Sequence, residues 1–367
     1  MTNNADQRFM RRALELAARA RGRTSPNPLV GAVVVKDGQI IGEGYHQKAG
    51  TPHAEINALN AAGRERAKGA SIYVNLEPCS HYGRTAPCAL ALVEAAVAEV
   101  VIATLDPNPQ VSGRGVQILQ EAGIKTRVGV LAEEARELNE FFFKYIQGGR
   151  PFVSLKVAMT LDGKIASSSG DSRWITGTAS REYVHQLRNI YDGIMVGIGT
   201  VLKDDPRLNT RLELEGKRDP VRIIIDGRLD MPLDSIIART GHEQRTLVFT
   251  AENADQEKAN SLKECGLEII KLGGNPDRLH IEEALDILGK MEIISVLLEG
   301  GAEINSYMLE KQLVDKLYWF IAPKIIGGKS SPSPLGGEGI KIMNQAIKLK
   351  SLSTRHFEDD ILISGYI

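Results

Sequence analysis

The chain has 367 residues, enough for two domains of common size and too many for one ordinary core. Its 45 Lys and Arg stand against 46 Asp and Glu, so no global field draws it to nucleic acid or an anionic membrane, and any anionic group must be met by a local site. Three cysteines, Cys79, Cys88 and Cys265, form an odd set that argues against a secreted disulfide framework and leaves metal binding or burial.

The opening stretch from Met1 to Arg12 is polar and charged, without the apolar run of a signal peptide, and no stretch reaches the roughly 18 apolar residues of a membrane span. The expectation is a reducing, cytoplasmic compartment. From Asp6 to Arg21 the apolar residues Phe9, Met10, Ala13, Leu14, Leu16 and Ala17 recur at helical spacing. After the turn-rich Ser25-Pro26-Asn27-Pro28, the run Val30 to Val35, a turn at Asp37-Gly38 and the run Ile40 to Gly44 read as a hairpin. A helix over His53 to Ala62, a strand over Ser71 to Leu76, a helix over Cys88 to Ala98, a strand over Val100 to Thr104, a helix over Gly113 to Ala122, a strand over Ile124 to Val128 and a helix over Glu133 to Phe143 follow. Alternating strands and helices predict a sheet covered by helices.

The pattern breaks near Gln147-Gly148-Gly149-Arg150-Pro151, which places a domain boundary between 1–147 and 148–367. Strands are expected at Phe152–Val157, Gly193–Val196, Val221–Ile225, Thr246–Thr250, Glu268–Ile270, Ile294–Leu298, Lys316–Ile321 and Asp360–Ser364, so the second part is also α/β. Gly327 to Gly339, rich in Gly, Ser and Pro, reads as a mobile loop.

His53-Ala54-Glu55, Pro78-Cys79 and Cys88 combine an imidazole, two thiols and a carboxylate, a donor set that suits zinc better than magnesium or calcium. His53, Cys79 and Cys88 as ligands leave one position open for water, the arrangement of a catalytic zinc. Glu55, two residues after a ligand, would carry the proton from water to a leaving amine. The general zinc-deaminase pattern, His-x-Glu followed by Pro-Cys-x-x-Cys, matches in its first half only, because Ser80 to Pro87 separate the two cysteines. Cys88 opens a helix whose positive end would favour its thiolate. His81 is an alternative fourth ligand, which would make the metal structural. Cys265 reads as plain burial.

The segment Asn75-Leu76-Glu77-Pro78-Cys79-Ser80-His81-Tyr82-Gly83-Arg84-Thr85-Ala86-Pro87-Cys88, with Ser25 to Val33 ahead of it, resembles the bifunctional riboflavin-biosynthesis deaminase-reductase family, in which the long cysteine spacing is typical. The resemblance extends through Leu161-Asp162-Gly163-Lys164-Ile165-Ala166, Ser172-Arg173-Trp174-Ile175-Thr176, Gly197 to Leu208 and Leu298-Glu299-Gly300-Gly301. It implies a cytidine-deaminase-like α/β/α domain followed by a dihydrofolate-reductase-like α/β domain. It further implies two consecutive reactions: zinc-dependent removal of an exocyclic amine from 2,5-diamino-6-(ribosylamino)-4(3H)-pyrimidinone 5′-phosphate, then NADPH-dependent reduction of the ribosyl chain to ribityl. By the same resemblance Asn27 and His46 line the pyrimidine pocket. Ala158, Trp174, Thr200, Asp204 and Gly227 touch NADPH, with Gly301, Ala302, Glu303, Ile304, Asn305, Ser306 and Tyr307. Ser172, Arg188, Leu208, Arg211 and Glu299 touch the substrate, and family members commonly form homo-oligomers.

The residues themselves support part of this. Gly197-Ile198-Gly199 follows a strand, but position 202 is Leu, so the Gly-x-Gly-x-x-Gly dinucleotide fingerprint fails and another cofactor geometry is needed. Glu299-Gly300-Gly301-Ala302 lies between an apolar strand and a helix, where backbone amides suit a pyrophosphate. Arg188 and Arg211 are expected clamps for the ribose 5-phosphate. Lys156 and Asp162 flank the site without an assigned role. A tRNA adenosine or nucleoside deaminase fused to an accessory domain is the alternative enzyme, weakened by the neutral composition. A non-enzymatic module with structural zinc is the third reading.

Overall fold

The computed structural model describes residues 4–80, 87–109 and 111–367, and the chain divides into two compact units, Met1–Gly149 and Arg150–Ile367. The first unit is built from α1 (Asn4–Ala18), β1 (Gly31–Lys36), β2 (Gln39–Tyr45), α2 (Ala54–Ala62), a single turn α3 (Arg64–Ala67), β3 (Ser71–Val74), α4 (Cys88–Glu94), β4 (Glu99–Ile102), α5 (Arg114–Glu121), β5 (Lys125–Val128), α6 (Ala132–Leu138) and α7 (Glu140–Gly148). Its sheet runs β2-β1-β3-β4-β5, antiparallel across β2, β1 and β3 and parallel from β3 to β5. The expected hairpin and the strand-helix alternation are all present. The helix opened by Cys88 is shorter than the sequence suggests: it closes at Glu94, and Ala96 turns the chain at a positive φ of 49°.

The sheet is apolar on both faces. Val33, Val35, Tyr73 and Val101 pack with Phe9 and Met10 of α1, while Val34, Ile72, Val74 and Ile102 pack with α2 and α4. The α2 contact is unusually close. Ala54, Ala58 and Ala62 recur every four residues on one face of α2, opposite Gly42 and Gly44 of β2. A Cβ at Gly44 would lie 2.4 Å from the Ala58 nitrogen and 2.5 Å from the Ala54 carbonyl oxygen. Glycine here lets the first turn of α2 rest on the strand, which fixes the height of His53 and Glu55 above the sheet.

The second unit adds β6 (Phe152–Thr160), α8 (Thr178–Ile190), β7 (Gly193–Gly197), α9 (Ile198–Asp204), β8 (Val221–Ile225), α10 (Ile236–Arg239), β9 (Thr246–Ala251), α11 (Gln256–Glu264), β10 (Glu268–Leu272), the small β11 (Gly274–Asn275) and β12 (Arg278–Leu279), α12 (Ile281–Lys290), β13 (Ser295–Leu298), α13 (Ala302–Glu310), β14 (Lys316–Ala322), β15 (Lys350–Phe357) and β16 (Asp360–Tyr366). Nine strands form one sheet in the order β10-β9-β8-β7-β13-β6-β14-β16-β15, parallel except at β14-β16 and β16-β15. The chain leaves β7 outward through β8, β9 and β10, then returns as β13 between β7 and β6. That reversal opens a crevice at the carboxyl ends of the central strands, the usual place for a ligand in such sheets. β15 is a polar edge strand, exposed along all but its last residue, and carries no apolar alternation that would announce it. Among the described residues, no helix is long and apolar enough to cross a membrane.

The close approach of α2 to β2 predicts that Gly44→Ala overpacks the interface. Denaturant unfolding of the full chain is expected to show the first unit destabilised by about 1–3 kcal/mol, with the second unit's transition in place; an unchanged first transition would contradict this packing argument.

Candidate functional site

In the first unit, two connections from strand to helix converge. His53 is the N-cap of α2, Glu55 lies in its first turn, and Cys88 is the first residue of α4. Cys79 follows β3 by way of Asn75 to Pro78. His53 Nδ1 lies 3.2 Å from Cys88 Sγ and 3.6 Å from Cys79 Sγ, and the three potential ligand atoms all fall within 4.8 Å of one another. Ligands on a tetrahedral zinc, bonded at about 2.0–2.3 Å, stand roughly 3.5 Å apart. The imidazole and the two sulfurs therefore fit zinc as they stand. His81 and most of the Ser80–Pro87 connection lie outside the described residues.

The thiols share their charge unevenly. The Cys88 thiol and backbone N–H both point at Cys79 Sγ, the latter at 3.3 Å. Hydrogen bonding from Cys88, against the opposing cost of burial and with help from His53, draws the Cys79 thiol down to about 4. The same thiolate pushes Cys88 well above its ordinary range, reinforced by burial and by Glu55. The helix end was expected to favour a Cys88 thiolate; between the two thiols alone the charge settles on Cys79, because a second buried thiolate beside it is repelled.

Glu55 is 3% exposed. Burial first, and the nearby Cys79 second, push its carboxyl up to about 7, the range in which a carboxyl both takes and gives a proton near neutrality. Asn27 and His46 meet beside His53. Asn27 Nδ2 lies 3.2 Å from His46 Nε2, and His46 Nδ1 lies 3.3 Å from the Pro52 carbonyl oxygen. A carbonyl accepts only, so Nδ1 carries the proton and Nε2 accepts from the amide. The His46 ring packs edge-on to His53 at 5.5 Å. Burial lowers the His46 pKa, which keeps the ring neutral.

The sequence reading gave Glu77 no role. Its carboxylate is buried and accepts four backbone N–H groups, from Asp106 (3.2 Å), Gly113 (2.9 Å), Gly115 (2.9 Å) and Val116 (3.3 Å). It pins the Pro78-Cys79 segment to the start of α5, and its only local signal is an acid placed directly before Pro-Cys.

In the second unit, a cavity of about 1430 Å³ lies along the carboxyl ends of β6, β7, β8 and β13. It is lined by Ala158, Ser172, Trp174, Arg188, Thr200, Asp204, Arg211, Gly227, Glu299 and all of Gly301, Ala302, Glu303, Ile304, Asn305, Ser306 and Tyr307. Of the candidates for this site, Leu208 is missing from the wall. Its side chain is 3% exposed and packs in a core cluster with Val201, Ile237 and Leu262, held there by a main chain at φ 53°. Arg188 lines the cavity but is not an uncommitted clamp. Its Nε and Nη2 bond Glu299 at 2.7 and 3.0 Å, and its Nη1 bonds the Asn209 carbonyl at 3.2 Å. Lys156 Nζ completes a largely buried triad at 3.2 Å from the same carboxylate. Asp162 stands outside this group and braces a loop, accepting from the Thr160 hydroxyl and the Gly327 N–H.

The nicotinamide-cofactor reading has a physical basis here. Gly300 and Gly301 lead into α13, whose first-turn N–H groups have no partner within the helix. A Cβ at Gly300 would lie 2.2 Å from Ile304 Cγ2, so only glycine lets the strand enter the helix at this angle. Trp174, 58% exposed, stands at the cavity with the Arg181 guanidinium 4.7 Å from its ring centroid. His185 and Arg181, four residues apart on α8, also line the cavity. Their helical spacing with Arg188 along one side of α8 is the available sequence signal.

Two family models match the chain: the cytidine and deoxycytidylate deaminase zinc-binding region over residues 3–104, and the RibD C-terminal domain over residues 151–363. The riboflavin biosynthesis protein RibD of Actinobacillus pleuropneumoniae is 46% identical over 358 residues, covering 98% of this chain and 94% of its own. That of Aquifex aeolicus is 45% identical, covering 99% of both. Among solved structures, RibD of Acinetobacter baumannii superposes with a TM-score of 0.87 at 40% identity, over 99% of this chain and 98% of its own. The Thermotoga maritima structure described as a diaminohydroxyphosphoribosylaminopyrimidine deaminase/5-amino-6-(5-phosphoribosylamino)uracil reductase gives 0.86 at 40% identity, with the same coverage.

The triad around Glu299 predicts both a stability loss and a pH signature. Burial alone would raise the Glu299 carboxyl, but Arg188 and Lys156 outweigh it and hold it well below the usual carboxylate range. A depressed folded pKa stabilises above the ordinary carboxyl value of about 4.3 and loses that contribution as pH falls below it. Arg188→Leu is expected to destabilise the second unit by about 3–5 kcal/mol at neutral pH. Glu299→Gln is expected to flatten the acid limb of the stability curve; an acid limb identical to wild type in urea titrations would remove the triad from the account.

Proposed function

Since this chain belongs to the RibD family and is a bifunctional deaminase and reductase of riboflavin biosynthesis, we propose how its two units divide the work. Residues 1–147 act as the zinc-dependent deaminase domain and 148–367 as the NADPH-dependent reductase domain. The substrate is the diaminopyrimidine ribotide 5′-phosphate, deaminated on its ring and then reduced along its ribosyl chain to give 5-amino-6-(ribitylamino)uracil 5′-phosphate. The observation that carries this reading is the presence, in one chain, of a His53-Cys79-Cys88 cluster beside a buried Glu55 and of a large cavity at a sheet crossover walled by glycines, arginines and a helix N-terminus.

In the first unit His53, Cys79 and Cys88 hold the zinc, which when bound supplies a Lewis acid and an acidified water. Glu55 takes a proton from the attacking water and delivers it to the departing amine. Its burial makes both transfers accessible near neutral pH. Asn27 and neutral His46 orient the pyrimidine by hydrogen bonds, and their mutual contact holds the pair together.

In the second unit NADPH supplies the hydride. The first turn of α13 holds its pyrophosphate, with Thr200, Asp204, Gly227, Trp174 and Ala158 along its length. Arg211 meets the substrate phosphate, Ser172 lines the same cavity, and Arg188 with Lys156 keeps Glu299 ionised. The compartment is the cytoplasm, where the ligand thiols stay reduced. A homo-oligomer is supported by the exposed edge of β15 and its neighbours, with Leu352 63% and Met343 87% exposed.

Glu55→Gln is expected to reduce ammonia release from the diaminopyrimidine ribotide by at least about 100-fold while NADPH oxidation on the pre-deaminated ribotide continues. Loss of both activities in a folded variant would overturn the division into two sites. Chelation is expected to stop ammonia release, and one equivalent of zinc per chain to restore it, with circular dichroism unchanged. Melting of the first unit on chelation, with no turnover at any zinc concentration, would support a structural metal instead.

A further inference from the structure

His185 is wedged between two guanidinium groups. It lines the cavity from α8, one turn before Arg188 and facing Arg211. Its Nε2 lies 3.2 Å from Arg211 Nε, and its Nδ1 lies 3.3 Å from the Arg211 backbone nitrogen. A neutral imidazole has one acceptor nitrogen, so only one of these approaches is a hydrogen bond. Nδ1 faces the Arg211 main chain, and Nε2 faces the Arg211 side chain. On the side-chain side, Nε2 accepts from Arg211 Nε. The surroundings enforce this state: burial first, then Arg188 and Arg211, push His185 down to about 4, with Glu299 opposing.

We propose that His185 is a positioning residue for phosphate recognition in the reductase unit: its unprotonated Nε2 holds the Nε edge of Arg211, leaving both terminal NH2 groups of that guanidinium to the substrate's phosphate monoester. The proposal rests on the reading of Arg211 as the phosphate ligand. A guanidinium on a flexible stem loses side-chain freedom when it binds, and holding one edge beforehand removes part of that penalty. Arg188 cannot take the same part, because Glu299 and Asn209 already engage it. A protonated ring could not accept from Arg211 and would add a third cation to the pair.

The test is steady-state NADPH oxidation by the full chain with the pre-deaminated ribotide, with and without its 5-phosphate, for wild type, His185→Leu and His185→Gln. Leu removes the acceptor, whereas Gln carries an oxygen about as far out as Nε2. His185→Leu is expected to raise KM for the phosphorylated substrate about ten-fold, to leave KM for the dephosphorylated substrate and for NADPH near wild type, and to change kcat far less. His185→Gln is expected to recover most of the loss. If the Leu variant fails to fold, His185→Asn, whose side chain stops short of Arg211, takes its place in the comparison with Gln. A wild-type enzyme indifferent to the 5-phosphate would overturn the reading of Arg211, and the proposal with it. A wild-type preference for phosphate that survives unchanged in His185→Leu would overturn the role of His185 alone, as would a KM effect falling on NADPH.

Discussion

Both sites are built where the carboxyl end of a strand gives way to the first turn of a helix, and the rest of each unit keeps those turns in register. A first turn presents backbone N–H groups without partners and the positive end of the helix dipole. In the first unit such turns carry His53, Glu55 and Cys88, and in the second the start of α13 opens onto the cavity. The requirement is one of height and angle. Gly42 and Gly44 set α2 down on β2, the Glu77 carboxylate draws the Cys79 segment to α5, and Gly300 lets β13 enter α13 without a side chain in the way.

Two buried glutamates show how environment assigns opposite tasks to one side chain. Glu55 is buried beside Cys79, His53 and Cys88, and burial, reinforced by Cys79, raises its carboxyl to about 7. Glu299 is buried as well, but Arg188 and Lys156 close on it and keep it ionised. A carboxyl that must exchange protons has no ion-pair partner among the described side chains, and one that must stay charged receives two. The first arrangement suits amine hydrolysis. The second fixes a negative group in a wall of cations, where it orders the neighbours that face the ligand.

What could be read from the sequence depended on distance along the chain. His53-Ala54-Glu55 and Pro78-Cys79 sit within single turns, so residue type and spacing carried their chemistry directly, and the hairpin at Asp37-Gly38 and the apolar strands were legible for the same reason. The edge strand β15 was not, because a strand exposed on its outer side and paired on one edge needs no apolar alternation. Leu208 looked like a substrate contact by its place in a motif, yet a positive φ turns its side chain into the core. Arg188 looked free because Glu299 is 111 residues away. Glu77 and His185 escaped notice on the same ground, since their partners lie in other elements.

The balanced composition takes on a different meaning once the cavity is seen. A chain of net charge -1 creates little long-range pull on a phosphate ester. Ionic screening beyond roughly 8–10 Å would weaken such a pull in any case. Recognition has to come from cations gathered within the cavity: Lys156, Arg181, Arg188 and Arg211 line it together. Packing such cations around one crevice is repulsive unless something separates them. Glu299 pairs with Lys156 and Arg188, the Trp174 ring shares Arg181, and a neutral His185 accepts from the remaining Arg211. The charge needed for a phosphate is thus stored in a form the fold can tolerate before the ligand arrives.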